Sequence, residues 1–412
     1  MLSKIRDKQL YCGLDVGAQR IKAGILRAHD HKRMELAGVY EARTRGFKDS
    51  AITDLGEFSD CLYSTLEELS RRTGIRIEEV HLGLGGDLID VRFTNTVIPL
   101  ADSGHRMITK TDVKHINNQA RLLGVMVEEE VLHNLPQYYK VDDADSAMNP
   151  VGLYGRKLGV HSLMIVTNSA RLRNIVQAVV NIGYDVPTVS FSSFVASQVV
   201  LSASDKQDGC VFIDVGSSVT MILIYKDYVL KQIARVDFGG DDITQGLAEA
   251  LDIPFDTAEE VKRSYGSILE DDVEGDRDIL VRTDYGHISL KSREVCQACL
   301  KKTDILIGKI REAIGSSGLK DQILGTVTLA GGAALLSGFS IRLQEALQRS
   351  VKLGQVQGAE KTLKNVVSFS SVLGLAYHGY HVYNESVRKS PEDGALMKRW
   401  TEKVKILYQQ YF

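Results

Sequence analysis

The stretch Gly13-Leu14-Asp15-Val16-Gly17-Ala18-Gln19 near the start of the chain has a counterpart about 200 residues later, Phe212-Ile213-Asp214-Val215-Gly216-Ser217-Ser218. Each copy is an apolar strand that ends in Asp-Val-Gly and continues into another strand-like run, which predicts a β-hairpin. The tight turn of such a hairpin exposes backbone N–H groups that can bind an anion. Two such hairpins facing each other predict a nucleotide whose phosphates are bound between two similar halves.

Two glycine pairs follow the second hairpin. Gly239 and Gly240 open a predicted helix that runs to about Leu251, and backbone N–H groups at a helix start favour an anion. Gly331 and Gly332 follow a buried strand and precede another predicted helix, where a backbone without side chains can lie against a planar group such as adenine. A single Gly-Gly turn is weak evidence, because most such turns are structural. The order of the signals is more informative than any one of them.

That order resembles the actin, sugar-kinase and heat-shock-chaperone ATPase superfamily across nearly all of the folded length. Within it, three segments resemble the FtsA family of bacterial cell-division proteins: VLHNLPQYY (131–139), NPVGLYG (149–155) and AEEVKRSYG (258–266). The resemblance implies an α/β actin-like ATPase fold with two related domains around a nucleotide cleft. It also implies a small inserted α+β subdomain and a C-terminal amphipathic helix.

The resemblance divides the chain into parts. The first actin-like domain is expected to comprise residues 8–86, 159–204 and 365–385, and the inserted subdomain residues 87–158. The second domain is expected to have its core at 205–245 and 303–364 and a helical subdomain at 246–302. Residues 386–394 are polar and contain Pro and Gly, which favours a linker before an amphipathic helix at 395–412. Between Thr257 and Ile314 the sequence predicts mainly helix, interrupted by a charged, turn-rich stretch at 270–284.

The resemblance further implies roles for single residues in binding ATP with Mg²⁺. Asp15 and Asp214 are expected to hold the metal through water. Glu259 and Lys262 resemble an adenosine-contacting pair, although a solvated helix face would give the same pattern. The implied nucleotide-binding residues are Asp15, Gly17, Ala18, Gln19, Arg20, Asp214, Gly216, Ser217, Ser218, Gly239, Gly240, Glu259, Lys262, Gly331, Gly332 and Ala333.

Departures from the superfamily pattern remove one possible phosphate hydrogen bond and lower the expected rate of ATP hydrolysis. Ala18 and Gln19 stand where hydroxyl residues usually follow the first glycine, and Arg20 replaces a common lysine. The run 192–197 supplies no carboxylate where many superfamily ATPases position the attacking water. Because losing a water-orienting group lowers hydrolysis by several powers of ten, we expect ATP hydrolysis to be slow or absent.

The last residues of the chain carry an apolar stripe at three- and four-residue steps, which predicts an amphipathic helix. Its members are Leu396, Met397, Trp400, Val404, Leu407, Tyr408 and Tyr411, and Lys398, Arg399, Lys403 and Lys405 lie outside it. Trp and Tyr beside lysines on such a helix are typical of a peripheral membrane anchor. The alternative is a terminal helix packed on the protein's own core.

Composition excludes several other classes. The charged fraction of 25% and the apolar fraction of 44% are those of a soluble globular protein, and the net charge of −3 argues against a nucleic-acid binder. Residues 1–10 lack the apolar core of a secretion signal, and no apolar run is long enough to span a bilayer, so the body is expected to be cytoplasmic.

Cys296 and Cys299 have the spacing of a metal or redox pair, but small buried helix residues explain them better.

The predicted function is that of an FtsA-like scaffold. Such a protein would bind ATP with Mg²⁺, polymerise like actin, and tie FtsZ filaments to the cytoplasmic face of the inner membrane at the division septum. The FtsZ C-terminal peptide is expected at Lys301 and Asp304, where the family often has Arg and Glu. One alternative is a PilM-like pilus-assembly protein, which should not need a C-terminal membrane helix. Another is a sugar or acetate kinase, which would need an acidic base facing a substrate cleft.

Overall fold

The computed structural model describes residues 9–29, 34–101, 104–142, 146–269, 277–283, 286–319, 323, 325–356 and 365–388. The predicted amphipathic helix at 395–412, with all seven side chains of its apolar stripe, lies outside these residues. Among the helices that are described, none is both long enough and apolar enough to span a membrane.

The described residues form both strands and α-helices. The strands are β1 (Leu10–Val16), β2 (Arg20–Ala28), β3 (Met34–Arg43), β4 (Phe47–Lys48), β5 (Ala51–Ile52), β6 (Glu79–Leu84), β7 (Ile89–Pro99), β8 (Arg106–Met107), β9 (Glu129–Val141), β10 (Ser146–Ala147), β11 (Tyr154–Gly155), β12 (Lys157–Asn168), β13 (Asp185–Phe191), β14 (Cys210–Val215), β15 (Thr220–Lys226), β16 (Val229–Val236), β17 (Asp278–Thr283), β18 (Gly286–Lys291), β19 (Val327–Ala330) and β20 (Val351–Leu353). The α-helices are α1 (Leu55–Thr73), α2 (Lys110–Leu123), α3 (Ser169–Asn181), α4 (Ser192–Val200), α5 (Ala203–Asp208), α6 (Gly240–Leu251), α7 (Phe255–Tyr265), α8 (Ser292–Gly315), α9 (Phe339–Leu347) and α10 (Ser370–Arg388).

The chain divides into two compact units. The first comprises residues 1–85, 170–200 and 356–412, and the second comprises residues 86–169 and 201–355. Each unit contains one of the two Asp-Val-Gly hairpins, as β1–β2 and β14–β15.

The first unit is built on a five-stranded sheet in the order β13-β6-β1-β2-β3. The β1–β2 pair is antiparallel, as the hairpin prediction requires, while β6 runs parallel to β1 and β13 parallel to β6. Helices α1 and α10 cover opposite faces of the sheet: the side chains of Leu69 and Thr73 lie against Gly38, and Val372 lies against Gly24. A Cβ atom on Gly13 would stand 2.1 Å from the carbonyl oxygen of Val372, so this glycine allows α10 to approach β1.

A four-stranded antiparallel sheet, ordered β10-β9-β12-β7, forms a module at the start of the second unit. Helix α2 covers one face through Ile116 and Ala120, and it begins with a capping box between Thr109 and Asp112. This α+β module is the inserted subdomain that the sequence predicts. Its second boundary differs from the expectation, because β12 pairs with β7 and β9 along its whole length instead of joining the first domain at residue 159.

The rest of the second unit is a five-stranded sheet, β16-β15-β14-β19-β20, with helices α6 to α9 packed around a common apolar core. Two expectations for this region are wrong. Part of the stretch expected to be turn-rich forms the hairpin β17–β18, because Ile279, Val281 and Leu290 alternate into the core. After Gly331 and Gly332 the chain forms only a short 3₁₀ turn, and α9 begins later, at Phe339.

All five cysteines are buried and free. Cys296 and Cys299 are 4% and 0% exposed on α8, and burial raises the pKa of the Cys299 thiol to about 12. No cluster of three or more His, Cys, Asp or Glu side chains that could hold a metal ion occurs in the part of the chain that is described. The interpretation of this pair as small buried helix residues is confirmed.

Candidate functional site

The turn of the second hairpin joins Asp214 at the end of β14 to the start of β15. The amide of Gly216 donates to the carbonyl oxygen of Val219 at 3.0 Å, so this N–H is used to close the turn. The amides of Ser217 and Ser218 have no acceptor among the described residues. Two adjacent half-buried N–H groups without a protein partner are suited to bind an anion.

Helix α6 begins directly against this turn. The amides of Gly240 and Asp241 donate to the carbonyl oxygens of Gly216 and Ser217, at 2.9 and 2.8 Å. A Cβ atom on Gly239 would stand 2.3 Å from the carbonyl oxygen of Ser217, so only glycine permits this contact. The first two amides of α6 are therefore bonded to the turn and are not free to bind an anion.

Gly331 and Gly332 follow β19, which lies parallel to β14 with Ala330 opposite Asp214. Gly331 has φ +87°, and a Cβ atom there would stand 2.3 Å from the carbonyl oxygen of Val215 and 2.7 Å from Oδ1 of Asp214. A Cβ atom on Gly332 would meet nothing within 4 Å. The two neighbouring glycines thus differ: Gly331 is required by close packing and backbone conformation, whereas Gly332 faces open space.

Lys262 on α7 binds the start of α6. Its Nζ atom donates to the carbonyl oxygen of Gly240 at 2.8 Å and to Oγ1 of Thr244 at 2.6 Å, and it forms an ion pair with Glu259 at 2.6 Å. Thr244 donates in turn to Oε2 of Glu259 at 2.5 Å. The Lys262 side chain is only 11% exposed, which excludes the solvated-face interpretation for this residue. Gly240 also approaches Ala333, whose Cβ would lie 3.1 Å from a Cβ at position 240.

We expect Lys262→Met to lower the free energy of unfolding by roughly 1–3 kcal/mol, because the Gly240 carbonyl and the Glu259 carboxylate each lose a charged donor in a mostly buried place. Urea denaturation followed by circular dichroism measures this change. The matched control is Lys301→Met on the exposed surface of α8, which should change stability by less than about 0.5 kcal/mol. Equal effects of the two substitutions would show that the Lys262 network contributes nothing.

In the first unit, Asp15 is the second-last residue of β1 and accepts two hydrogen bonds from serine hydroxyls. Ser192, the first residue of α4, donates to Oδ1 at 2.5 Å, and Ser371 of α10 donates to Oδ2 at 2.6 Å. The two bonds fix the orientation of the carboxylate while leaving further lone pairs on both oxygens. The Asp15 carboxylate is therefore held in one orientation, as an oxygen ligand of a metal ion requires.

The turn after Asp15 is closed by a bond from the Gly17 amide to the carbonyl oxygen of Arg20 at 3.2 Å. The hydroxyl of Thr44 donates to the Gly17 carbonyl oxygen at 2.8 Å, and the Thr44 amide donates to that of Gln19 at 2.9 Å. The Arg20 side chain forms an ion pair with Glu41 at 3.2 Å. Arg20, one of the residues expected to bind the nucleotide, is thus bound to the neighbouring strand in this structure.

The two residues expected to bind a peptide lie on α8. Lys301 is exposed, whereas Asp304 forms a two-point ion pair with Arg342 of α9, at 2.5 and 2.9 Å. The carboxylate of Asp304 is therefore engaged with its own chain, and the exposed Ile305 follows it on the same helix.

Three hydroxyl residues of the site were missed by sequence reasoning. Thr244 lies one helical turn after Gly240, a spacing that was available as a signal. Ser192 and Ser371 lie 177 and 356 residues from Asp15 along the chain, so no local pattern connects them to it.

Comparison with known families gives two matches. The family described as "Cell division protein FtsA" matches residues 211–374, and the family described as "SHS2 domain inserted in FTSA" matches residues 86–166. Together the matches cover more than half of the chain. The second match includes nearly all of β12, in agreement with the observed limits of the inserted module.

Similar proteins extend over almost the whole chain. The cell division protein FtsA of Buchnera aphidicola subsp. Schizaphis graminum is 21% identical over 99% of both chains, and that of Escherichia coli strain K12 is 24% identical over 91% of both. Among solved structures, a PilM-PilN type IV pilus biogenesis complex covers 90% of this chain and 98% of the other with a TM-score of 0.64 at 16% identity. MreB5 of Spiroplasma citri bound to ADP covers 92% and 99% with a TM-score of 0.51 at 11% identity. These structural likenesses show the actin-like fold.

Proposed function

The chain belongs to the FtsA family of cell-division proteins, and on this basis we propose that it binds ATP with Mg²⁺, forms actin-like polymers and attaches FtsZ filaments to the membrane. The observation that carries the proposal is the assembly of four separated sequence segments around Asp214 in the second unit. The hairpin turn, the α6 start, the α7 pair and the Gly331-Gly332 turn meet there through direct contacts.

The properties of these residues suit a nucleotide. The unpaired amides of Ser217 and Ser218 would bind phosphate oxygens, and the open side of Gly332 leaves room for a flat base or sugar to approach the backbone. Glu259, with its side chain 27% exposed, would accept hydrogen bonds from ribose hydroxyls. The Lys262 side chain is hydrogen-bonded to Gly240 and Thr244, so we propose that it holds α7 against α6.

Asp15 and Asp214 are proposed to hold Mg²⁺ through water molecules. Both are carboxylates at strand ends that are followed by a tight glycine turn, and oxygen ligands are those that Mg²⁺ prefers. The serine hydroxyls on Asp15 would keep its carboxylate oriented toward such waters. When bound, the metal would neutralise charge on the phosphates.

We propose that ATP acts mainly as a conformational ligand and is hydrolysed slowly or not at all. Position 192, at the start of the run where a water-positioning carboxylate is common in the superfamily, is a serine whose hydroxyl donates to Asp15. A hydroxyl used in this way is a poor general base. These residues therefore suit the binding of ATP and Mg²⁺ better than they suit the hydrolysis of ATP.

The partners we propose are FtsZ and an anionic membrane surface on the cytoplasmic side of the inner membrane, at the septum. FtsZ would bind through its C-terminal peptide on α8 near Lys301 and Asp304, and the membrane would bind the tail at 395–412. A PilM-like role is the weaker alternative, because both matching family descriptions are of FtsA and the likeness to PilM concerns the fold.

The test is sedimentation of FtsZ with anionic liposomes in the presence of the full-length chain, with and without ATP. We expect FtsZ to sediment with the vesicles only when the chain is added, and more of it with ATP than without. Failure of the chain to carry FtsZ to liposomes that it binds itself would contradict the FtsZ assignment. Failure of the chain to bind liposomes at all would contradict the membrane assignment.

A further inference from the structure

Strand β7 forms a long free edge of the sheet in the inserted module. It is 11 residues long and pairs with β12 from Ile89 opposite Thr167 to Pro99 opposite Lys157 without a register shift. Its other edge makes no backbone hydrogen bond to any residue that the structure describes. An edge of this length presents a row of N–H and C=O groups to which another strand can pair.

The middle of the edge lacks the features that usually prevent such pairing, whereas Asp90, Arg92 and Pro99 lie toward its two ends. The longer edge strands β3, β13 and β16 each carry a register shift against their neighbour, and the edge strands β10 and β20 have only two and three residues. From Phe93 to Val97, by contrast, β7 has no charge, no proline and no bulge. Charges, prolines and bulges are the usual protection of a sheet edge.

Apolar side chains line the open face of the module along this edge. Phe93 and Val97 are 51% and 64% exposed on the face away from α2. The Phe93 ring stacks on His161 of β12 at 5.1 Å, and the His161 ring stacks on Tyr138 of β9 at 4.9 Å. This row of rings crosses three strands and ends at the edge, so a side chain on an added strand would extend it.

The sequence of β7 is complementary to itself in one antiparallel register. With Asn95 opposite Asn95 of a second copy, Phe93 lies opposite Val97 and Val97 lies opposite Phe93, while Thr94 and Thr96 pair on the other face. Pairs of aromatic with β-branched residues and of threonines are favourable across strands. Centring the pairing on Thr94 or Thr96 would instead set Phe93 against Asn95 or Pro99.

We propose that two copies of this chain associate through β7, antiparallel and centred on Asn95, so that one sheet continues across both inserted modules. The contact is two-fold symmetric and closed, unlike the head-to-tail contact of a filament, and it does not depend on nucleotide. Only one strand edge from each copy is buried, so the dimer is weak in dilute solution. The β7 contact would join neighbouring chains wherever the local concentration of the protein is high.

Disulfide cross-linking of the full-length chain tests the register. Facing residues of antiparallel strands have Cα atoms about 4.5–5.5 Å apart, which suits a disulfide. We expect Asn95→Cys to give a covalent dimer on mild oxidation, because the five natural cysteines are all buried and leave the new thiol as the reactive one. Val97→Cys alone should not, since the two copies of position 97 are four residues apart along the paired strands, roughly 13 Å.

A second pair of variants tests the proposed β7 register independently. A mixture of Phe93→Cys and Val97→Cys proteins should form a mixed disulfide, because these positions face each other in the proposed register. Adding Val97→Lys to Asn95→Cys should slow cross-linking at least tenfold, with the thermal unfolding midpoint as the control for folding. The proposal is overturned if neither Asn95→Cys nor the mixture cross-links faster than Val97→Cys alone.

Discussion

Gly331→Ala is expected to lower the free energy of unfolding by roughly 2–5 kcal/mol and to abolish nucleotide binding. The estimate adds about 1–2 kcal/mol for a side chain at positive φ and about 1–3 kcal/mol for overpacking against the Val215 carbonyl oxygen, 2.3 Å from the new Cβ. Relief of this clash must either move the turn away from β14 or displace the Asp214 carboxylate, whose Oδ1 lies 2.7 Å from the same point. Urea denaturation measures the first effect and binding of a fluorescent ATP analogue the second.

The neighbouring glycine supplies the matched control. Gly332 has φ −68°, and a Cβ atom there would meet nothing within 4 Å, so Gly332→Ala should leave the unfolding free energy nearly unchanged. If the nucleotide lies against this backbone as proposed, the same substitution should weaken ATP binding without any loss of stability. Unchanged ATP affinity in a stable Gly332→Ala protein would contradict the proposed placement of the nucleotide, and equal stability of the two variants would contradict the role given to Gly331.

Deletion of residues 395–412 is expected to abolish binding to anionic liposomes while leaving ATP binding intact. The stripe of apolar side chains and the four cations would both be lost, and each cation near an anionic surface contributes about 1 kcal/mol. Trp400 is the only tryptophan of the chain, so its emission should shift to the blue when the full-length protein binds vesicles. Co-sedimentation and fluorescence titration measure the two effects.

Glu402→Gln serves as the control for the tail, because it removes the one acidic side chain among the cations and should leave membrane binding intact or strengthen it slightly. Zwitterionic vesicles should bind the full-length protein more weakly than anionic ones. Sedimentation of the truncated protein with anionic vesicles, or an unchanged Trp400 spectrum at saturating lipid, would show that the tail is not the anchor.

The local pattern of the sequence was sufficient to predict most of the elements near the site. Both hairpins, the start of α6 at Gly240 and the strand before Gly331 are where the sequence places them, because alternation of apolar residues and glycine turns are local signals. The hairpin β17–β18 was missed since its short alternating pattern stands next to a charged stretch that resembles a loop. The limit of the inserted module was missed because a strand buried on most of its length gives no sign of which sheet it joins.

The side-chain arrangement of the site was less accessible from sequence. The glycines and carboxylates were found, but the partners of Asp15 come from helices that are distant along the chain. Whether Lys262 binds solvent, nucleotide or its own fold depends on how α7 packs on α6, which no spacing rule provides. For the same reason the ion pairs of Arg20 with Glu41 and of Asp304 with Arg342 were not foreseen.

The hydrogen bond from Ser371 to Asp15 has a consequence for signalling along the molecule. Ser371 lies in the first turn of α10, a helix of 19 residues and therefore about 28 Å long, which ends at Arg388, within the stretch 386–394 that was expected to be a linker. Any change in the charge or position of the Asp15 carboxylate alters its hydrogen bond to this first turn. Because a helix is stiff, a shift of its first turn moves the whole of α10. A shift at the Asp15 carboxylate is therefore expected to displace the far end of α10, at Arg388.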